Sequence, residues 1–152
     1  KVQHTLDLEK MLDDLLRDIS FIYSKMKLCD LNLESSHILY SEDCNAFFLG
    51  DWAAAKPIRT ESLRKELTTA VLNVTPDIKI PKLAAKEMHQ LGLKALEASG
   101  LAKSDYAELL ELKDDFNYIN QLEVISKKLE AVNQPKEVQR LIHRILQKEA
   151  GD

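Results

Sequence analysis

LCDLNLESSHILYSEDCNAFFLGDWAAAK, residues 28–56, decides the reading of this chain. Within it, Ile38-Leu39-Tyr40 and Ala46-Phe47-Phe48-Leu49 are short apolar runs rich in strand-forming residues. They flank Ser41-Glu42-Asp43-Cys44-Asn45, so the segment predicts a hairpin. An aspartate stands on each side of it: Asp30 before the first run and Asp51 just after the second. Pro57 closes the segment, because proline biases the residue before it away from helix. The stretch therefore presents two carboxylates on loops at either end of a small β unit.

Outward from this unit the chain reads as helices. From Leu6 to about residue 27, apolar residues fall at Leu8, Met11, Leu12, Leu15, Leu16, Ile19, Ile22 and Tyr23, the stripe of a helix buried on one face. Thr60 opens a helix through Leu63, Leu67, Val71 and Leu72, and Thr75-Pro76 and Pro81 punctuate a loop. Leu83 to Ser99 carries apolar residues around much of its circumference, which predicts a helix in the middle of the domain, ended by Gly100. Ser104 predicts a cap for a helix through Leu112. Another helix runs from Ile119 to about Val132, and Asn133-Gln134-Pro135 opens the last, through Val138, Ile142 and Ile145. The expected fold is mainly α with one short β hairpin. It forms one domain over 1–152: a long helix (6–27), the loop and hairpin segment (28–56), and a helical remainder (57–152).

Composition narrows the function. The chain has 152 residues, 30% of them charged, with a net charge of −4, so no basic field draws it to nucleic acid or an anionic membrane. No apolar run approaches the roughly 18 residues that read as a membrane span, and the first residues given hold no signal-peptide core. Cys29 and Cys44 lack metal-ligand spacing, and two thiols at this length suit a reducing, cytoplasmic setting. The sequence begins at Lys1 without Met, as a processed product or a cut piece would.

Taken in order, the motifs resemble the C-terminal lobe of a eukaryotic-like protein kinase in degenerate, pseudokinase-like form. Asp30-Leu31-Asn32 resembles the catalytic loop, Asp51-Trp52-Ala53-Ala54-Ala55-Lys56 the metal-binding D-F-G segment, and Glu87-Met88-His89-Gln90-Leu91-Gly92 the D-x-x-S-L-G start of the central helix. Val138 to Asp152 resembles the penultimate helix and the turn after it. The resemblance implies roles. Asp30 would orient the hydroxyl nucleophile, with Asn32 beside it in the catalytic loop. Asp51 would hold Mg²⁺ bridging the phosphates of ATP. Trp52 would pack in the core at the Phe position, and Ser35 or His37 would stand where the family has its second metal ligand.

The departures carry equal weight. No G-x-G-x-x-G and no strand lysine occur, so the phosphate-covering N-lobe is absent from this chain. Leu28-Cys29 replaces the His-Arg before the catalytic Asp, Asn32 replaces a lysine, and Ala53 replaces the D-F-G glycine. Ser35 and His37 are poorer Mg²⁺ ligands than an amide oxygen. Three expectations follow: a pseudokinase-like interaction module, an active ATP-dependent phosphotransferase whose N-lobe lies outside these residues, or a helical adaptor unrelated to kinases. The first expects no cofactor on this chain alone, ATP and Mg²⁺ being possible in a full-length protein. It also expects a protein partner, or the missing N-lobe, at an apolar surface near the cleft.

Overall fold

The computed structural model describes residues 7–33, 37–72, 82–110 and 116–147, and its architecture is mainly helical. Helix α1 (Leu8–Phe21) starts where the Asp7 carboxylate accepts the Lys10 N–H at 3.0 Å, leaving its apolar stripe free to bury Leu8, Met11, Leu12, Leu15, Leu16 and Ile19. The sequence predicts a regular helix to residue 27. Instead the last turn, Ile22–Met26, widens to a π turn that ends on Lys27 in the left-handed region (φ 57°). Tyr23 in this turn is fully buried.

The predicted hairpin is present as β2 (Ile38–Ser41) and β3 (Ala46–Leu49), with Leu39 opposite Phe48 and Tyr40 opposite Phe47. A second antiparallel ladder, absent from the sequence reading, joins β1 (Leu28–Cys29) to β4 (Lys56–Pro57), pairing Cys29 with Lys56. Two-residue strands show no alternation, so periodicity could not reveal them.

Helix α2 (Glu61–Leu72) begins where the Thr60 hydroxyl accepts the Leu63 N–H at 3.1 Å. Helix α3 (Lys82–Ala98) is the centre of the fold, packing against α1, α2 and α5 (Lys136–Leu146), and it buries Ala84, Ala85, Met88, Leu91, Ala95 and Leu96. Gly92 lets α5 approach closely, because a Cβ there would overlap the Leu146 side chain. Helix α4 (Phe116–Ala131) leads into α5, which starts after Pro135 and buries Val138, Ile142, Ile145 and Leu146.

The α-helix expected from Ser104 through Leu112 is corrected. Residues Lys103–Asp105 and Ala107–Leu109 form two short 3₁₀ turns, while 111 and 112 lie outside the described residues. The Asp105 carboxylate folds back to accept the Ala102 N–H, and Tyr106, at φ −130° and buried, breaks the helical path between the turns. The loop predicted at Thr75-Pro76 and Pro81 also lies outside the described residues. Among the described residues no helix is long and apolar enough to cross a membrane.

Candidate functional site

The topology brings the connections that carry the two aspartates to the same end of the β1–β4 ladder. Asp30 leaves β1 at the end where Cys29 pairs with Lys56, and residues 50–55 enter β4 at that same end. At the hairpin, Ile38 pairs with Leu49, and the Gly50 N–H bonds the His37 carbonyl at 2.8 Å. The connections carrying Asp30 and Asp51 therefore both run between the open end of the hairpin and one end of the β1–β4 ladder.

The first connection is held from within. Lys27, Asp30 and Asn32 all adopt positive φ (57°, 54° and 52°), a conformation that costs non-glycine residues energy unless neighbours enforce it. The enforcing groups come from α3. Glu87, only 1% exposed, accepts the Leu31 N–H on Oε1 at 2.8 Å and the Tyr23 hydroxyl on Oε2. One turn on, the buried Gln90 accepts the Leu33 N–H at 2.9 Å. Burial pushes the Glu87 carboxyl above its usual range. Its bonds from Tyr23 and from backbone N–H groups at Leu31 and Asp30 pull it back, while the nearby Asp30 charge adds to the rise. Tyr23 is likewise pushed well up, first by burial and then by the Glu87 charge. In the sequence Glu87 marks the D-x-x-S-L-G-like start of the central helix without a role at the loop, and Tyr23 only continues an apolar stripe. The available signal was a carboxylate on the apolar face of the most apolar helix, where an acid belongs only if backbone donors meet it.

Asp30 itself faces outward. Its two carboxylate oxygens lie 3.5 Å from the ammonium groups of Lys56 and Lys86, so β4 and α3 each supply it with a counter-charge. Cys29 beside it is buried, and its thiol is pushed up by burial, then by Glu87 and Asp30, with Lys56 opposing, which leaves it protonated and unreactive.

The second connection contains a tight turn. Asp51 accepts the Ala53 N–H at 3.0 Å in an Asx turn, and the Ala55 N–H closes onto the Trp52 carbonyl at 3.0 Å. The expectation that Trp52 packs in the core is corrected. It is 39% exposed, because the tight turn carries its side chain away from the helices. His37 is exposed and contributes its backbone carbonyl to the hairpin end; Ser35 lies outside the described residues. His89 is buried, with Nε2 at 2.6 Å from the Leu109 carbonyl, a satisfied core histidine.

The hairpin is anchored to α1 by the carboxylates of Asp14 and Asp18, which accept the N–H groups of Phe47 (3.1 Å) and Leu49 (2.8 Å). Burial raises the Asp18 carboxyl, and the Leu49 bond partly offsets the rise. Leu39 and Phe48, paired across the strands, are 44% and 38% exposed, and Tyr40 is 48% exposed.

As a divalent-cation site, this donor set is thin. Two ammonium groups already meet Asp30. Among the described residues no three His, Cys, Asp or Glu side chains gather as a metal cluster. Comparison with known proteins finds no matching family model, no matching curated protein and no matching solved structure.

Proposed function

We propose that this chain is a kinase-like C-terminal lobe that works as a protein-interaction or regulatory module rather than as a phosphotransferase. The observation that carries the reading is the uncovered outer face of the β2–β3 hairpin. Leu39 and Phe48, paired across the strands, are exposed there, with Tyr40 in the same hairpin and Trp52 in the turn that follows. Contiguous apolar surface on a helical domain marks an interaction site, and a protein partner or a preceding lobe would cover it. The central, buried α3 and its Glu87 hold on the Asp30 loop support the kinase-like arrangement.

Chemistry is the weaker half of the site. Phosphoryl transfer relies on positioning and on charges that neutralise the transferring group. Here Asn32 stands where the family has a lysine, and among the described residues no three His, Cys, Asp or Glu side chains gather as a metal cluster. The enzymatic reading is favoured by one observation: Asp30 and Asp51 occupy adjacent connections, with Lys56 and Lys86 at Asp30. Incubation with ATP, Mg²⁺ and a generic protein acceptor separates the two, run beside Asp51→Ala. No phosphate transfer above the Asp51→Ala level, and no shift of the melting temperature with ATP and Mg²⁺, is expected. Transfer that Asp51→Ala abolishes would establish the phosphotransferase instead.

A further inference from the structure

A concavity lies between α3 and residues 101–110, with a volume of about 640 Å³. Cavities on the order of 300–1,000 Å³ suit small organic ligands. One wall is a stripe along α3 in which Lys86, Gln90, Leu93, Lys94 and Glu97 succeed one another at helical spacing. The other wall brings Leu101, Lys103, Tyr106 and Leu110 to face it.

Three properties mark this cleft as a site rather than a packing gap. Its second wall is irregular yet fixed: His89 Nε2 meets the Leu109 carbonyl, Lys128 Nζ donates to the Asp105 carbonyl at 2.7 Å, and Gln134 Nε2 donates to the Ser99 carbonyl at 2.8 Å. A wall tied at several points is pre-formed, and pre-formed sites lose little entropy on binding. Its lining is amphipathic, since Leu93, Leu101, Tyr106 and Leu110 supply apolar surface and Leu110 is 40% exposed. Its charge is lopsided, three lysines against the single carboxylate of Glu97. Lys86 is shared with Asp30, but among the described residues no carboxylate lies within ion-pair distance of Lys94 or Lys103. Burial, reinforced by the Glu97 charge, raises the Tyr106 hydroxyl, so it stays protonated as a hydrogen-bond donor.

We propose that this cleft binds a small molecule with an apolar, ring-sized body and an anionic head, the body against Leu93, Leu101 and Leu110 and the head between Lys94 and Lys103. The inference stands on the cleft alone and does not depend on the kinase-like reading. An anion there also competes with Asp30 for Lys86, which links the cleft to the Asp30 loop.

The probes are 2-naphthoate and 2-naphthyl phosphate, with neutral 2-naphthol and inorganic phosphate testing body and head separately, and binding is followed by backbone amide shifts in NMR. Both anionic naphthalenes are expected to shift amides within 86–110, the tighter of the two naming the head group. Naphthol and inorganic phosphate are expected to bind at least about tenfold more weakly, the loss of one good contact worth about 1.4 kcal/mol. The surface variant Lys94→Glu/Lys103→Glu, its fold checked by circular dichroism, should weaken both anions by a further tenfold or more, while Lys127→Glu on α4 should not. The proposal is overturned if the anions leave 86–110 unshifted. Equal binding of naphthol or of phosphate alone, or unchanged binding to the double-lysine variant, would overturn it too.

Discussion

The segments that carry Asp30 and Asp51 reach the same end of the β1–β4 ladder, yet they differ in how they are held. Residues 27–33 hold three non-glycine positive-φ positions and are fastened from below by the buried Glu87 and Gln90 of α3. Residues 50–55 show an Asx turn at Asp51, the Ala55 N–H on the Trp52 carbonyl and the Gly50 N–H on the His37 carbonyl, with Trp52 39% exposed. Asp30 meets Lys56 and Lys86 only through partly exposed ion pairs, which are worth little each, whereas the carboxylate beneath the loop is buried. The carboxylate on which the site depends is Glu87, where burial makes each hydrogen bond costly to lose.

That contrast can be broken first at Glu87. Glu87→Ala strands the Leu31 N–H and the Tyr23 hydroxyl in the interior, so a loss of about 3 kcal/mol or more in urea unfolding is expected, at roughly 1–3 kcal/mol per buried unsatisfied group. A loss below about 1 kcal/mol would mean the loop is held by something else. Next comes the platform itself. Gly92→Val overpacks α3 against Leu146 and Ile145 and should cost about 1–3 kcal/mol in the same measurement.

The pH dependence sharpens the comparison without removing a contact. Burial raises the folded-state pKa of Glu87 above its ordinary 4.5, so the folded protein binds this proton more tightly than the unfolded chain. The group's contribution is then fullest below 4.5 and declines as pH rises through the raised value. Glu87→Gln lacks this titration, so the stability gap in favour of the wild type should narrow over that window, read from urea midpoints. A gap that widens with pH would place the Glu87 pKa below its ordinary value. The smallest effects belong to the second connection: Asp51→Ala should cost about 1 kcal/mol or less and Trp52→Ala within about 0.5 kcal/mol, as surface changes do.

What the sequence disclosed follows from where periodicity is strong. The one-sided stripe of α1, the broad apolar coverage of α3 and the paired runs of the 38–49 hairpin each repeat long enough to be read, and each is present. The β1–β4 ladder was illegible because its strands are two residues long and its partners 27 positions apart in Cys29 and Lys56. The 101–110 segment carries a helix-start residue at Ser104, but the buried Tyr106 and the back-turned Asp105 side chain prevail over that local preference. Asp30 and Asp51 were legible as loop aspartates flanking the hairpin. Their hold was not, since Glu87, Gln90 and Tyr23 lie 56, 57 and 64 residues from their respective bonding partners. Trp52 was misplaced because the resemblance puts it at the D-F-G Phe position, a core aromatic, whereas it is 39% exposed in the turn after Asp51.

Native-state hydrogen exchange at three amides tests the central claim most directly. The Leu31 and Leu33 N–H groups, bonded to buried acceptors on α3, should exchange only through large-scale unfolding, while the Ala53 N–H, bonded to Asp51 on the surface, should exchange through local opening many times faster. Glu87→Gln should selectively speed Leu31. Equal, fast exchange at all three positions would contradict the account, because it would show that α3 does not hold the Asp30 loop.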